Sequence, residues 1–573
     1  MDLVTNQVTA ATLRRTVFIA LTLVAVTMAA FAGAGMMPTG DGALHVNLAR
    51  QISQSLSLET ASVSHYPPVY HIVAAIAYSL GGPAGVQAIS FLAFGVISAF
   101  TYLFVREVTG SSRSGLAAQV LVTFSPVLLW YSSLTLMEPT LAAVIVATLY
   151  MVLRTSREPT LRNIAITTAG LCTISLIKQT GLPIVGAAIV FLAFSDVGIR
   201  RTALIGVVIS IVAAGPYLYI YSRTGAFTDP GQAPISQLAG QSSGLTGSIL
   251  TGGVESHTPQ WSIELDSEVD AIALYETGTT THEARHVYWK NVFRPSQFTW
   301  VHTLYPETFS GYSGSSMPPV TWILNISLFA GFALAFVAAR SNSGWRLVLL
   351  TLGVSYIGMS WGSDTHRLFL YVPAIASALL VLPYLFVWQK YGNRMRTYLS
   401  TERARNIGIP ATVAAIAILF AATAVPTLIA QFRTLSSYDQ TQGGGFPSSG
   451  GMQSVSETGA WLKEHLAPGE SFTAASVYEW EYYSERQDLW DDGLDYRTYF
   501  LEPGRLDHYL KVAGAKYIVI RENQVIEDSD WNHVELVPVS FLEKLDATYP
   551  IVYTSSFGDI RVYEVTGNEA TDA

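Results

Sequence analysis

The sequence predicts an α-helical polytopic membrane protein of about 11 spans, with the N-terminus inside, the C-terminus outside and a small C-terminal extracytoplasmic α/β domain. Three observations predict this class. Half of the 573 residues are hydrophobic, and the mean hydropathy is +0.34. Only 13% of the residues are charged, whereas soluble chains carry about 25%. Long charge-free stretches recur along the chain, and basic residues concentrate in every second connection between them.

The predicted spans are charge-free stretches that reach or approach the length needed to cross a bilayer. A transmembrane helix requires about 20 mostly apolar residues. The stretches that qualify or come close are 16–36, 84–105, 114–134, 139–153, 163–177, 181–195, 202–222, 318–339, 347–361, 368–389 and 407–430. A further apolar segment, 69–81, breaks the alternation if it spans, so we expect an interfacial helix there, with a re-entrant segment as the alternative.

The orientation follows from the distribution of Lys and Arg, which concentrate in cytoplasmic loops. Arg14 and Arg15 precede the first span and place the N-terminus inside. Basic residues then follow every second span, at Arg106 and Arg113, Arg154, Arg157 and Arg162, Arg200 and Arg201, Arg340 and Arg346, and between Lys390 and Arg405. The alternate connections therefore face the extracytoplasmic side.

The predicted domains are a transmembrane module at 1–432, with outer loops at 37–83 and 223–317, a linker at 433–450 and an α/β domain at 451–573. The linker contains "TQGGGFPSSGG", which is typical of flexible chain. In the tail, "SVSETGAWLKEHLAPGES" indicates a helix, and "AKYIVIREN" and "IRVYEV" indicate strands. The residues from Gln431 onward include 24 acidic and 10 basic side chains, and nothing in the chain resembles the basic patches that bind nucleic acid.

Two carboxylates stand at the predicted outer ends of spans. Asp41 follows span 1 closely, and Glu138 begins span 4, where Pro139 suits the first helical turn. An ionisable residue at this depth is a candidate functional group. The alternative for each residue is an ordinary interfacial cap or a solvated charge.

Cations stand at the same predicted side. Lys178 lies between spans 5 and 6, and Arg367, next to His366, begins span 10. Positive charge at an outer end runs against the usual distribution and therefore requires a partner, which a phosphate group would supply. The alternative is a side chain that snorkels to lipid headgroups.

These segments together resemble the GT-C glycosyltransferases, in particular the protein O-mannosyltransferase and aminoarabinose transferase group. The resemblance rests on "GDGALHVNLARQIS", "HYPPVYHIVAAIAYSLGG", "SPVLLWYSSLTLMEPTLAAVIVATLYMVLR", "KQTGLP" and "HRLFLYVPAIASALLVL", in this order over residues 14–390. It implies a helical bundle whose first outer loop carries the catalytic carboxylate. Many relatives have Asp-Glu in that loop, whereas this chain has Asp41 followed by Gly42.

The resemblance implies an inverting transferase that moves a single sugar, mannose or another hexose, from a polyprenyl- or dolichyl-phosphate donor to an extracytoplasmic acceptor. The acceptor could be a lipid-linked oligosaccharide, a glycoprotein glycan or a protein hydroxyl; in an archaeon it would be a glycan of protein N-glycosylation. Asp41 would be the general base, Glu138 would position the acceptor or tune Asp41, and Lys178 and Arg367 would bind the donor phosphate. Residues that would line the pocket or contact the acceptor are His45, His65, Tyr66, Tyr70 and His366. A divalent ion shared by Asp41 and Glu138 is left open.

Two other functions fit parts of the sequence. A secondary transporter of a small or lipid-linked solute is the main alternative, but transporters place ionisable residues near the bilayer midplane, whereas these charges gather at span ends. The string "HEARH" places His282 and His286 at the spacing of a zinc protease, yet it lies in a polar loop, and a surface helix is the better interpretation.

Overall fold

The computed structural model describes residues 2–34, 38, 41–55, 67–224, 319–361, 370–399, 451–468, 470–474, 478–486, 515–522, 525–526 and 537–565. The predicted site residues His65, Tyr66, His366 and Arg367 lie outside these ranges, as do His282 and His286. The predicted linker, the span at 407–430 and nearly all of the loop 223–317 also lie outside them.

The chain folds into two compact units. One comprises residues 1–34, 52–228 and 286–437, and the other comprises 35–51, 229–285 and 438–573. The segment 35–51 of the predicted first outer loop thus groups with the C-terminal part of the chain. The predicted domain boundaries at 432 and 450 lie outside the described residues and stay a prediction.

The first unit is a bundle of helices. Their apolar composition gives each helix a face or a whole surface that is favourable to bury. In chain order the helices are α1 (Asp2–Gly33), α2 (Asp41–Ser55, shared with the second unit), α3 (Val69–Thr109), α4 (Ser112–Thr123), α5 (Pro126–Ser133), α6 (Glu138–Arg157), α7 (Leu161–Ile177), α8 (Leu182–Ala193), α9 (Ile199–Thr224), α10 (Pro319–Ala338), α11 (Ser343–Trp361) and α12 (Val372–Leu399). A 3₁₀ turn, Gln179–Gly181, joins α7 to α8 through Lys178.

Within the described residues, four segments are long and apolar enough to cross a membrane. They are Thr12–Gly33, Val69–Thr109, Glu138–Arg157 and Ile199–Pro216. Shorter apolar helices occupy Leu161–Ile177, Leu182–Ala193, Ile326–Ala338 and Val372–Val387. The chain is therefore a helical membrane protein, and the count of 11 spans and their direction stay predictions.

Helix α3 consists of two helices joined at a kink. Gly81 (φ −150°, ψ 17°) and Gly82 (φ 59°, ψ −146°) leave the helical conformation just before Pro83. Only glycine adopts the Gly82 conformation without strain. The kink separates the segment predicted as an interfacial helix from the predicted span 84–105. The first segment exposes Ile76 and Leu80 and buries Tyr70 on another face, and its position at the membrane surface stays a prediction.

The predicted span 114–134 differs from the structure, which has two helices there. Helix α4 ends at Thr123 and α5 begins at Pro126, and Ser125 between them is extended (φ −74°, ψ 118°). Proline disfavours the helical conformation in the residue before it. The prediction counted a charge-free length and gave no weight to Pro126.

Three of the predicted cytoplasmic connections gather at one end of the bundle. Arg157 Nη1, at the end of α6, lies 2.5 Å from Glu107 Oε1, near the end of α3. The Asn342 side chain, in the turn between α10 and α11, donates to the carbonyl of Val108 at 2.9 Å. The basic ends of α3 and α6 therefore lie beside the connection that carries Arg340 and Arg346. The compartment that this end faces stays a prediction.

The second unit contains a small mixed sheet. Its elements are α13 (Gly451–His465), β1 (Ser471–Ala474), α14 (Tyr478–Ser484), β2 (Ala515–Arg521), β3 (Val525–Ile526), β4 (Val537–Pro538), α15 (Val539–Thr548), β5 (Ile551–Thr554) and β6 (Ile560–Glu564). Four strands pair in the order β1-β2-β6-β5, where β1 and β2 are parallel and the other pairs antiparallel. Strands β3 and β4 form a separate parallel pair.

The core of the second unit lies between the sheet and the helices α13 and α14. Leu462 of α13, Trp480 of α14 and Phe472 of β1 are fully buried and belong to one cluster with Val519 and Val562. The helix and the two strands indicated by the sequence of the tail are present, as α13, β2 and β6.

Candidate active site

Glu138 is the first residue of α6, and polar side chains of α3 bind the backbone just before it. The Ser90 hydroxyl donates to the carbonyl of Leu136 at 3.0 Å, and the Gln87 amide donates to the carbonyls of Ser133 and Gly33, both at 2.9 Å. The Leu134–Met137 segment therefore approaches α6 along a fixed path. A carboxylate in the first turn also interacts favourably with the helix macrodipole.

Lys178 closes α7 in an extended conformation, with φ −157° and ψ 140°. The chain then makes the 3₁₀ turn, where Gly181 packs tightly against α7. A β-carbon built on Gly181 would lie 2.4 Å from Ile174 Cγ2, so only glycine fits without a shift. This close approach fixes the backbone directly after Lys178.

The connection from α6 to α7 brings Glu138 and Lys178 to the same end of the bundle. Only residues 158–160 join the two helices, so α6 and α7 form a hairpin in which the start of one lies beside the end of the other. Lys178 Nζ lies 2.8 Å from Glu138 Oε1. Helix α6 has 20 residues, so this pair and the Arg157 end lie about 30 Å apart along the helix.

The Glu138–Lys178 pair is buried. The exposed fractions of the two residues are 1% and 7%. Glu138 also lies close enough to Tyr70, itself 1% exposed, for an electrostatic interaction between the two side chains. Removal of a charge from water is unfavourable unless an opposite charge compensates for it, so each member of this pair depends on the other.

Asp41 and His45 belong to the second unit and lie on α2. Asp41 is half-buried at the first position of the helix, and His45, one turn later, is 1% exposed. Residues four apart lie on one helical face. The two side chains therefore share a face at the N-terminal end of α2.

The structure thus brings three of the predicted site residues together, namely Glu138, Lys178 and Tyr70. It places Asp41 and His45 together on α2. Their assignment as base, phosphate ligand and pocket residues stays a prediction. Sequence reasoning missed Gln87 and Ser90, although two polar residues three positions apart in an apolar helix are a recognisable signal.

Among the described ranges of the chain, no group of three or more His, Cys, Asp or Glu side chains is arranged to hold a metal ion. A divalent ion shared by Asp41 and Glu138 stays an open alternative.

The fold is that of membrane glycosyltransferases of the GT-C type. Similar solved structures include ArnT from Cupriavidus metallidurans in the apo state, with a TM-score of 0.56, 13% identity and coverage of 97% of this chain and 98% of that one. For the same protein bound to undecaprenyl phosphate, the TM-score is 0.52 and the identity 14%, and the match covers 96% of this chain and 98% of that one. A third similar structure is the archaeal oligosaccharyltransferase AglB from Archaeoglobus fulgidus in complex with an inhibitory peptide and a dolichol-phosphate. Its TM-score is 0.55 and its identity 16%, and the match covers 89% of this chain and 69% of that one.

Sequence comparison agrees with the fold. Residues 53–220 match the sequence profile of the dolichyl-phosphate-mannose-protein mannosyltransferase family. A search of curated proteins gives no significant match. The matched segment contains both Glu138 and Lys178. The resemblance predicted from the sequence is confirmed over this segment and at the level of the fold.

Proposed function

We propose that this chain transfers one sugar, mannose or another hexose, from a polyprenyl- or dolichyl-phosphate donor to an extracytoplasmic acceptor. The acceptor that we propose is a glycan of protein N-glycosylation. The observation that carries the proposal is the buried Glu138–Lys178 pair, which lies within the segment that matches the mannosyltransferase family. ArnT bound to undecaprenyl phosphate and AglB in complex with dolichol-phosphate support a lipid-phosphate donor.

In the proposed reaction, Asp41 takes the proton of the acceptor hydroxyl as its oxygen attacks the anomeric carbon. The bond from this carbon to the phosphate oxygen breaks, and the electron pair leaves with the lipid phosphate. In-line attack inverts the configuration at the anomeric carbon. A positioned base contributes roughly 10²–10⁴-fold to such a step. We assign to His45, one turn from Asp41 on the same helical face, a contact with the acceptor or the base.

Lys178 stabilises the negative charge that develops on the leaving phosphate in this proposal, together with Arg367. An ammonium group carries three donors, so Lys178 can bind Glu138 and a phosphate oxygen at the same time. A fixed cation in a site that excludes water stabilises a transition state more than a mobile one in solvent. Glu138 therefore acts as a positioning residue that fixes Lys178, and Tyr70 lines the same pocket.

The proposed site faces the extracytoplasmic leaflet of a multi-pass protein. Glu138 and Lys178 occupy the end of α6 opposite Arg154 and Arg157, and basic residues favour the cytoplasmic side. A lipid carrier delivers its sugar at the bilayer surface, where these groups would lie.

The test is a transfer assay with purified protein, a radiolabelled dolichyl-phosphate hexose and a lipid-linked oligosaccharide acceptor. We expect transfer by the unaltered chain and a large loss in Lys178→Met, with weaker donor binding. Mass analysis of surface glycoproteins in a strain without the gene should show glycans that lack one hexose. Unchanged glycans together with no transfer from any polyprenyl-phosphate hexose would contradict the proposal.

A further inference from the structure

Helix α2 presents two different faces, and one of them is attached to the C-terminal part of the chain. At 3.6 residues per turn, Asn47 and Arg50 project from the side of α2 roughly opposite Asp41 and His45. The Asn47 amide donates to Glu481 Oε2 at 3.2 Å, and Arg50 Nη1 donates to the carbonyl of Tyr482 at 3.5 Å. Both partners belong to α14, in the same compact unit.

A second set of contacts extends this attachment. Arg50 Nη1 lies 3.4 Å from Glu485 Oε1, directly after α14. The Tyr483 hydroxyl donates to the carbonyl of Pro38, just before α2, at 3.4 Å. Arg50 Nη2 also donates to Asn47 Oδ1 at 2.5 Å, which orients both side chains toward α14. Asn47 is buried, at 3% exposed. These contacts therefore attach α2 to α14 through the side of the helix roughly opposite Asp41.

Glu485 has an unusual backbone for its residue type. Its φ of 53° is the one left-handed value at a non-glycine residue in the described part of the chain. Its N–H donates to the carbonyl of Glu481 at 2.9 Å, which is the bond of a left-handed helix cap, a position that glycine normally occupies. A glutamate there costs conformational free energy, and such strain concentrates at functional positions.

The side chain of Glu485 gives a reason for glutamate at this position. Its carboxylate contacts Arg50 and also Lys463 Nζ, at 2.8 Å. The next residue, Arg486, donates to the carbonyls of Leu466 and Lys463 at the end of α13. The turn after α14 is therefore anchored to α13, and it presents one carboxylate to α2.

From these contacts we propose that Glu485 and Arg50 are positioning residues for the transfer reaction, through which the C-terminal domain holds α2 and hence Asp41 in its reactive place. The inference rests on the proposed function, in which Asp41 is the base. A small displacement of a catalytic group lowers a rate steeply, by as much as about 10²-fold for 1 Å. The domain then contributes to catalysis without touching donor or acceptor.

The decisive variant is Glu485→Gly, because glycine adopts the left-handed conformation freely. It removes the ion pairs of the carboxylate and relieves the backbone at the same time; these effects on stability oppose each other, so we expect only a small change in the thermal midpoint of the full-length protein. We expect kcat for sugar transfer to fall roughly ten- to hundredfold, with the KM for the donor unchanged. Arg50→Met should lower kcat similarly, and the double variant should be no worse than the more impaired single variant.

Hydrogen–deuterium exchange of α2 separates failure of this inference from failure of the proposed function. Both single variants should exchange faster over residues 45–51, whether or not the chain transfers sugar. The matched control is Glu470→Gln, which removes a comparable ion pair with Lys516, 3.0 Å apart, elsewhere in the same unit. The control should change neither kcat for sugar transfer nor the exchange rate over residues 45–51. Unaltered exchange in α2 or unaltered kcat in Glu485→Gly would overturn the inference.

Discussion

Asp41 carries the chemical step of the proposed reaction, so its replacement should act on rate rather than on folding. Asp41→Asn keeps the size of the side chain and its place at the start of α2 but removes the base. We expect transfer to fall about 10²–10⁴-fold, with the KM for the donor and the thermal midpoint near those of the unaltered protein. Initial rates with labelled donor measure this, and full activity would exclude Asp41 as the base.

The Glu138–Lys178 pair should behave as a unit in stability. Glu138→Gln places a neutral amide opposite the buried ammonium of Lys178, and the loss of one partner from a buried ion pair costs about 3–5 kcal/mol. We therefore expect a lower thermal midpoint as well as lower activity. The double variant Glu138→Gln with Lys178→Met should regain stability but not activity. A double variant less stable than Glu138→Gln would contradict this account of the pair.

Sequence reasoning found the charged members of the site and missed their neutral supports. Glu138 and Lys178 stand out because they are ionisable residues at the predicted outer ends of apolar spans, and a lysine there runs against the usual distribution of basic residues. Gln87 and Ser90 carry no charge, and the carbonyls that they bind, those of Gly33, Ser133 and Leu136, are far from them in sequence, so the sequence does not identify these partners. Arg50 and Glu485 are separated by more than 400 residues, so their pairing required the fold.

At the scale of elements, the kink in α3 depends on one backbone conformation. A β-carbon on Gly82 meets nothing within 4 Å, so the effect of Gly82→Ala is purely conformational. We expect a loss of about 1–3 kcal/mol in stability, visible as a lower thermal midpoint in detergent.

Gly186→Ala is the matched control for this prediction. Gly186 lies inside α8, and its added β-carbon also meets nothing within 4 Å. Alanine is favoured over glycine in a helix by roughly 0.5–1 kcal/mol, so this variant should be as stable as the unaltered chain or more so. Equal effects of the two substitutions would contradict the assigned conformational cause.

Elements were predictable where one local pattern dominates. In the C-terminal tail, the sequence predicted β2 and β6 from their apolar runs and α13 from its helical pattern. The break between α4 and α5 was missed, because hydropathy over 114–134 is continuous and only Pro126 marks the interruption. The kink at Gly81 and Gly82 lies between the predicted segment 69–81 and the predicted span 84–105, and that separation rested on the parity of the basic loops.

At the scale of the molecule, the acidic second unit should lose stability in acid. The pKa values of Glu457, Glu470 and Glu485 are lowered, chiefly by hydrogen bonds from Ser556, from the Ala467 N–H and from Lys463, respectively. A lowered folded-state pKa adds stability above the unfolded value, about 4.3 for glutamate, and that stability is lost as pH falls through the folded value.

Thermal midpoints of the full-length protein between pH 7 and pH 3 measure this dependence. We expect a plateau above about pH 5 and a fall of the midpoint at lower pH. Glu470→Gln, which removes one of the three carboxylates, should flatten the fall. A midpoint that rises as the pH is lowered below 4 would contradict the sign of the predicted effect.

The organisation of the whole chain was only partly accessible from its sequence. Composition indicates a helical membrane protein because charge is costly to bury in lipid, and the alternation of basic loops indicates the direction of the spans. The grouping of residues 35–51 with the C-terminal part of the chain could not be predicted, because it depends on polar contacts between segments far apart in sequence.

The central claim is that the chain binds a lipid-phosphate donor through Lys178, and a cryo-EM structure of the chain with dolichyl phosphate tests it most directly. We expect a phosphate oxygen within about 3 Å of Lys178 Nζ. A phosphate bound away from Lys178 would contradict the account.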